Sequence, residues 1–422
     1  MTDVHTPPAA PPTGTPASDL QDERLRRPSG PGGFLSLLLD RVRGGDLGLL
    51  PVVAGLFVIA VVLQVLNPIF LSSTNLVNLL IECVPVGVIA LGIVCVLLVG
   101  EIDLSVGSVS GLASSAVAIL FVNRGLPVLV AIVAAVAVGG IVGWVYAQMF
   151  NRFGVPSFVI TLAGLLAFLG LQLKVLGAAG SVNLPFDSAL VRFAQLAFLP
   201  AWLTYVLVAA AACALFASGY AHARKRRSAG LSSRSVSLLL ARSAALLAGL
   251  GFAAWYLNRA RGVGWMFVLF VALVLMLHYA LSRTKWGKSV YAVGGNAEAA
   301  RRAGINVRLV YTSVFMLCSS LAAIGGVLAA ARLAAANQSS GAGDVNLNAI
   351  AAAVIGGTSL FGGRGTAFAA LLGILVIQSI SSGLTLLNLD SSYRFIVTGV
   401  VLLLAVTLDS VARRSRKSSG RA

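Results

Sequence analysis

Two short segments of this chain place glycines and hydroxyls within otherwise apolar sequence, and the first of them also carries two carboxylates. They cover residues 100–108 and 356–366, and their polar or small members include Asp103, Ser105, Gly107, Thr358 and Ser359. A carboxylate accepts hydrogen bonds and a hydroxyl both donates and accepts them, so these side chains can bind a polar solute. The same residue types also form ordinary tight turns, and each segment fits that role as well.

A third polar segment, residues 294–304, predicts a short helix on a solvated surface. Asn296 can cap the helix, Glu298 complements the helix dipole in the first turn, and Gly304 can end the helix. The middle of the segment is alanine, so another surface can approach its backbone closely. The segment is therefore a candidate docking element, and the alternative is an ordinary solvated loop.

The composition identifies the elements that must position these segments. The chain has 422 residues, of which 58% are hydrophobic and only 11% are charged, and its mean hydropathy is +0.92. A soluble domain carries about 25% charged residues, so we expect an all-α polytopic membrane protein. The formal net charge of +17 could indicate nucleic acid binding, but the positions of the charges favour a topology signal instead.

Spanning helices need about 20 apolar residues each. Twelve runs approach that length, near residues 48–66, 77–98, 104–122, 126–149, 157–177, 198–220, 237–257, 265–281, 308–331, 346–361, 366–387 and 394–411. With the N-terminus in the cytoplasm, the basic clusters after the sixth and eighth runs and at the C-terminus all fall on the cytoplasmic side, which follows the positive-inside rule. The tenth run is short and also fits a half-span or a re-entrant segment.

The tails and the breaks complete the predicted organisation. Residues 1–47 are predicted to be a disordered, Pro-rich basic cytoplasmic tail, and residues 413–422 a basic cytoplasmic tail. Between them lies a membrane domain, 48–412, with broken helices near 100–105 and 356–366. Interrupted helices of this kind are typical of a transport pathway, because irregular backbone survives in a membrane only in protein or beside a wet cavity.

Other polar residues near the membrane are few. Asn337, Gln338 and Asn346 lie in or beside the outer loop before the tenth run, and Glu82 lies near the start of the second. Amide side chains can hydrogen-bond sugar hydroxyls, and they also occur in ordinary loops. Glu82 can extend to the outer interface. Gly139 and Gly143 form a Gly-x-x-x-Gly face that indicates helix packing.

The sequence lacks the motifs of an enzyme. It contains no complete P-loop, no Gly-x-Ser-x-Gly and no His-Glu-x-x-His, and its four cysteines lie in apolar runs without metal-site spacing. We therefore expect no cofactor, no metal and no catalytic residue, and any energy source must lie in a partner.

Three motifs together resemble a known family. Residues 291–305, residues 102–108 and residues 356–366 are similar to signatures of the permease subunits of bacterial ABC monosaccharide importers of the ribose/xylose class, in the expected order. The extra segment 221–281, a basic loop with two spans, resembles the xylose-type permeases. Glu101 departs from the pattern, where a second glycine is expected.

The resemblance implies a homodimer in the bacterial inner membrane. Cytosolic ATP-binding subunits would dock on the cytoplasmic loop 283–307, and an extracytoplasmic sugar-binding protein would dock outside. The family's coupling residues correspond to Gly294, Gly295, Asn296, Glu298, Ala299, Ala300 and Gly304. The translocation-path candidates are the five residues of the two breaks together with Asn337, Gln338 and Asn346.

Three alternatives differ in substrate or energy source. The first is an ABC permease for branched-chain amino acids, whose path would have to accept a zwitterion. The second is a proton-coupled secondary transporter, which would work alone and depend on Asp103. The third is a membrane scaffold, which would have no cavity between its helices.

Overall fold

The computed structural model describes residues 50–390 except 230, 232 and 234, together with 392, 393, 395–401, 403, 404 and 407. Both predicted tails, 1–47 and 413–422, lie outside the described residues, as does part of the twelfth predicted span. The helices, in chain order, are α1 Leu50–Leu66, α2 Ser73–Leu98, α3 Val106–Ala118, α4 Val128–Phe153, α5 Ser157–Leu176, α6 Ala189–Gln195, α7 Ala201–Ser228, α8 Val236–Asn258, α9 Trp265–Arg283, α10 Lys285–Gly295, α11 Ala297–Arg302, α12 Val307–Leu333, α13 Val345–Ile355 and α14 Phe368–Leu386.

The prediction of an all-α polytopic membrane protein is confirmed. Among the described residues, nine helices are long and apolar enough to cross a membrane, namely α2, α3 with its π-helical extension Ile119–Asn123, α4, α5, α7, α8, α9, α12 and α14. The tenth predicted run is instead the short helix α13, which has 11 residues. At 1.5 Å per residue it is about 16 Å long, roughly half the thickness of a bilayer core.

Helix breaks lie at both positions that the sequence predicts. The first separates α2 from α3, and the second separates α13 from α14. Two short strands, β1 Ser181–Asn183 and β2 Ala335–Asn337, pair antiparallel, with Val182 opposite Ala336. This small sheet ties the segment after α5 to the segment after α12.

The described residues divide into two compact units, and the larger comprises residues 50–199 together with the described residues from 257 onward. Its centre is α12, which packs against α2, α3 and α4. The predicted Gly-x-x-x-Gly face does pack in this way: a Cβ at Gly139 would lie 2.6 Å from the Ser319 carbonyl oxygen, and one at Gly143 would lie 2.6 Å from Met316 Cα. Small residues therefore let α4 and α12 approach to backbone contact.

The described part of the smaller unit is Pro200–Tyr256, which contains α7 and most of α8. The two helices meet where Gly219 faces Leu239, and large apolar side chains such as Trp202 and Phe252 are exposed along them. The extra segment 221–281 stays a prediction, and its last helix, α9, belongs to the larger unit, where Phe270 packs on Gly87 of α2.

Candidate functional site

The predicted docking helix is present as α11. The Asn296 side chain accepts a hydrogen bond from the Ala299 backbone N–H at 2.9 Å, so the residue caps the helix as its type favours. Gly304 follows the helix with φ +84°, a left-handed conformation that glycine adopts without steric cost. Local sequence signals thus set both ends of this short helix.

The two sides of α11 differ in exposure. Glu298 and Ala299 are exposed, whereas Ala300 is buried against the rest of the larger unit. Glu298 forms exposed ion pairs with Arg301 at 2.8 Å and Arg302 at 3.7 Å. Such exposed ion pairs contribute only about 0–1 kcal/mol to stability. The charged side chains of this face are therefore paired with one another but held only weakly.

The preceding helix α10 is anchored at both ends. The Thr284 side chain caps its start by accepting from the Gly287 N–H, and the Trp286 indole N–H donates to the Ser313 hydroxyl of α12 at 2.8 Å. Near its other end, the Tyr291 hydroxyl donates to the Gly365 carbonyl of the second break at 2.8 Å. Burial raises the pKa of Tyr291, so its hydroxyl stays protonated and keeps donating.

The end of α10 meets both helix breaks at one point, which we call the glycine junction: Leu98, Gly100, Gly294, Gly362 and Gly363. The Gly363 N–H donates to the Leu98 carbonyl at 2.8 Å. A Cβ at Gly294 would overlap that same carbonyl oxygen and lie 2.7 Å from the Gly363 nitrogen, and one at Gly362 would lie 2.6 Å from the Gly294 oxygen. Only glycine allows these backbones to approach so closely.

The junction connects three segments that the sequence singles out separately. The first residue of the polar segment 294–304, the break after α2 and the break after α13 are in backbone contact there. A displacement of α10 therefore acts directly on the end of α2 and on the loop between α13 and α14. Gly295, the next residue of α10, has open space around its own Cβ position.

The first break is held by a buried polar chain. The Asp103 carboxylate accepts from both the N–H of Ser105, at 2.8 Å, and its hydroxyl, at 2.7 Å, while the Tyr146 hydroxyl donates to the Ser105 oxygen at 2.8 Å. Asp103 is 1% exposed. These contacts form an Asx turn that starts α3, so Asp103 and Ser105 shape the break.

Asn346 joins the first break to the start of α13. Its side-chain oxygen accepts from the Gly107 N–H and its amide donates to the Leu104 carbonyl, each at 2.5 Å. A single side chain thus satisfies two backbone groups that the interrupted helix leaves unpaired. Two predicted path residues, Gly107 and Asn346, are in direct contact as a result.

Gln172 of α5 holds the loop that follows β2, residues 338–344. It is fully buried, and its amide donates to the carbonyls of Asn337 at 3.0 Å and Ser340 at 2.9 Å. Gln338 accepts a longer bond, 3.4 Å, from the same amide. The loop lies close to Gly111 in α3, so it folds back against the helices.

A cavity of about 450 Å³ lies beside this loop, within the larger unit. This volume falls in the usual range for small-molecule sites. Its polar wall comes from several helices and the loop, and includes Glu82, Ser110, Ser114, Arg332, Asn337, Ser339, Ser340, Asp344, Asn348, Gln378, Ser381 and Thr385.

Of the predicted path residues, Asn337 lines the cavity. The other seven do not line it: Thr358 and Ser359 are buried within the second break, Asp103, Ser105 and Gly107 lie in the first break, Asn346 contacts Gly107, and Gln338 contacts Gln172. The path assignment itself stays a prediction. In the part of the chain that the structure describes, no group of three or more His, Cys, Asp or Glu residues is arranged to hold a metal ion.

The fold brings together three residues that were not predicted to be neighbours, Glu82, Arg332 and Gln378. Arg332 Nη1 lies 3.4 Å from Glu82 Oε1, and the Gln378 amide donates to Glu82 Oε2 at 2.6 Å. The available signal was an opposite charge near one end of each of two apolar runs. Glu82 thus contacts side chains of two neighbouring helices, α12 and α14.

Comparison with known proteins gives consistent matches. Residues 75–406 match the protein family described as branched-chain amino acid transport system / permease component. The chain is 35% identical to the xylose transport system permease protein XylH of Escherichia coli K12 over 350 residues, which cover 82% of this chain and 87% of that protein.

Two further relatives agree. The Haemophilus influenzae XylH is 36% identical over 347 residues, covering 81% of this chain and 90% of that protein. The ribose import permease protein RbsC of Bacillus subtilis is 31% identical over 355 residues, which cover 84% of this chain and 90% of that protein. No solved structure is significantly similar to this chain. The family match extends across both breaks, the docking helix and the cavity.

Proposed function

Because this chain belongs to the branched-chain amino acid transport system / permease component family, we propose that it is the membrane permease subunit of an ATP-driven importer for a monosaccharide. A pentose such as xylose is the favoured substrate. The relatives named above are permeases for xylose and ribose, which are neutral pentoses, and they match most of this chain at 31–36% identity. The polar cavity suits a solute rich in hydroxyl groups.

The glycine junction is the observation that carries the mechanism. A partner that pushes on the exposed face of α11 also displaces α10, which precedes it directly, and α10 contacts the end of α2 and the loop between α13 and α14 through backbone atoms. Such contacts transmit a displacement with little loss, since no flexible side chain lies between them. The motor then shifts the helices that line the cavity, as alternating access requires.

The proposed assembly follows from this direction of force. Two cytosolic ATP-binding subunits dock on α11 of a homodimer, and an extracytoplasmic sugar-binding protein delivers the substrate. The chain has twelve membrane segments, counting the half-length α13, with both termini in the cytoplasm of a bacterial inner membrane. Lys and Arg clusters on the cytoplasmic side support this orientation.

Reconstitution in lipid vesicles tests the proposal. The permease is assayed with and without an ATP-binding subunit and a binding protein, against labelled pentoses, hexoses and leucine. We expect pentose uptake that needs ATP and both partners. Uptake by the permease alone, driven by a pH gradient and lost in Asp103→Asn, would instead identify a proton-coupled carrier. ATP-dependent uptake of leucine alone would identify an amino-acid importer.

A pair of variants tests the docking role of α11. Ala299 is exposed and helical, so Ala299→Trp adds bulk to the docking face without backbone strain. The matched control is Ala229→Trp, an exposed alanine at the end of α7. We expect Ala299→Trp and Glu298→Ala to abolish uptake while the binding protein still captures sugar, and Ala229→Trp to transport normally. Equal uptake in all three variants would exclude α11 as the docking element.

A further inference from the structure

We propose that Glu82, Arg332 and Ser114 form a hydroxyl-binding site for a neutral sugar inside the cavity. The proposal rests on the proposed function, since it names the residues that would hold the transported solute. The three residues come from α2, α12 and α3, and all of them line the same cavity. Gln378 of α14 completes the group by donating to Glu82 at 2.6 Å.

The Glu82–Arg332 pair retains hydrogen-bonding capacity. The nitrogen and oxygen atoms are 3.4 Å apart, which exceeds the roughly 2.7–2.9 Å of a strong charged hydrogen bond. The side chains are 32% exposed for Arg332 and 38% exposed for Glu82. A guanidinium has five donors and a carboxylate about four acceptor positions, so a ligand can bind both groups without breaking the pair.

Arg332 is also held in place from the other side. The Gln195 side chain of α6 donates to the Arg332 backbone carbonyl at 2.8 Å. This contact fixes the last turn of α12, from which the guanidinium reaches the cavity. Both charged groups are therefore mounted on ordered helices rather than on the loop.

Ser114 supplies the second, independent observation. The residue is 1% exposed and lines the cavity, and its hydroxyl has no hydrogen-bond partner among the described residues. The neighbouring Ser115 is equally buried, but its hydroxyl donates to the Gly111 carbonyl at 3.0 Å. An unsatisfied buried hydroxyl is costly, so a ligand hydroxyl at this position would be favoured.

The chemistry of the group selects a neutral polyol. A sugar hydroxyl can donate to the carboxylate, accept from the guanidinium and exchange a hydrogen bond with the serine. A monovalent ion would have to compete with a charge pair that is already neutral overall. The wall also carries apolar side chains such as Val86, Leu333 and Ile377, so the uptake assay with labelled leucine is what separates a branched-chain amino acid from a sugar.

The first test compares Ser114→Ala with Ser115→Ala in the reconstituted complex, with uptake of labelled xylose and thermal melting measured for both. We expect Ser114→Ala to lower uptake about three- to tenfold, the effect of one hydrogen bond, while its melting temperature stays equal or rises. Ser115→Ala should lower the melting temperature and leave uptake per folded protein unchanged. The proposal is overturned if Ser115→Ala lowers uptake and Ser114→Ala lowers only the melting temperature, or if Ser114→Ala leaves uptake unchanged.

The second test changes the charges. The single variant Glu82→Gln leaves Arg332 unpaired. The thermal stability of this single variant is therefore compared with that of the double variant Glu82→Gln/Arg332→Gln, in which the two amides can still pair. We expect the double variant to fold like the wild type and to lose xylose uptake at least about tenfold. Wild-type uptake in the double variant would overturn the proposal, while failure of the unmodified complex to import any sugar would instead refute the proposed function.

Discussion

Adding one methyl group at Gly294 should disable the transporter, because the added atom has no space in the glycine junction. In Gly294→Ala the new Cβ would overlap the Leu98 carbonyl oxygen and lie 2.7 Å from the Gly363 nitrogen, whereas ordinary contacts are 3.4–4 Å. Both neighbours are backbone atoms, so neither can rotate away. The junction must open by more than about 1 Å to reach an ordinary contact.

The cost can be worked from these contacts. Overpacking of a tight contact costs about 1–3 kcal/mol. Opening the junction also weakens the hydrogen bond from the Gly363 N–H to Leu98, for which the net loss is about 1 kcal/mol. For a chain of 422 residues, the sum of about 2–4 kcal/mol corresponds to a decrease in melting temperature of roughly 2–5 °C. If this strain raises the barrier of the change between the outward-open and inward-open states by about 1.4 kcal/mol or more, uptake decreases at least about tenfold.

Gly295→Ala is the matched control. Gly295 adjoins Gly294 at the end of α10, but a Cβ there meets nothing within 4 Å and its φ is not in the left-handed region. An alanine should therefore be neutral or stabilise the protein by about 0.4–1 kcal/mol. Thermal melting and ATP-dependent uptake are measured for both variants. Equal losses in melting temperature, or wild-type behaviour of Gly294→Ala, would refute the reasoning.

Three further substitutions probe other contacts. Gly143→Leu should separate α4 from α12 and lower the melting temperature, whereas Gly170→Leu, where the space is open, should not. Gln172→Glu replaces an amide donor with a carboxylate facing the carbonyls after β2, so we expect about 2–4 kcal/mol of destabilisation in thermal melts; a stable variant would contradict this role. Because burial raises the pKa of Tyr291, its hydroxyl bond to Gly365 contributes below the unfolded-state pKa near 10, and Tyr291→Phe should cost about 1 kcal/mol at pH 7 and equally at pH 9. A loss confined to one pH would exclude that bond.

Local signals predicted the features that depend on neighbouring residues. Asn296 caps α11 and Gly304 ends it, because a side-chain acceptor and a left-handed glycine act within one turn. Both helix breaks follow from glycines and hydroxyls in apolar sequence. The reduced length of α13 also follows, since Gly356 and Gly357 end its apolar run early.

Contacts between distant segments could not be predicted in this way. Nothing in the local sequence of Gly294 indicates that its neighbour in space is Leu98, because that contact depends on how α10 packs against α2. The burial of Ala300 beside exposed Ala299 likewise depends on which face of α11 meets the protein. Glu82 is predicted from the sequence to extend to the outer interface, and only the packing of α2 against α12 shows that it pairs with Arg332.

Helix α2 connects the two parts of the site. Its end at Leu98 belongs to the glycine junction, and Glu82 on the same helix lies in the cavity wall. The two residues are 16 positions apart, which corresponds to about 24 Å along a helix. The intervening residues are almost all buried, so α2 is supported along its length and can move only together with α12 and its other neighbours. In the proposed mechanism, a displacement that reaches Leu98 is carried to Glu82 by α2 itself, since both residues belong to one packed helix.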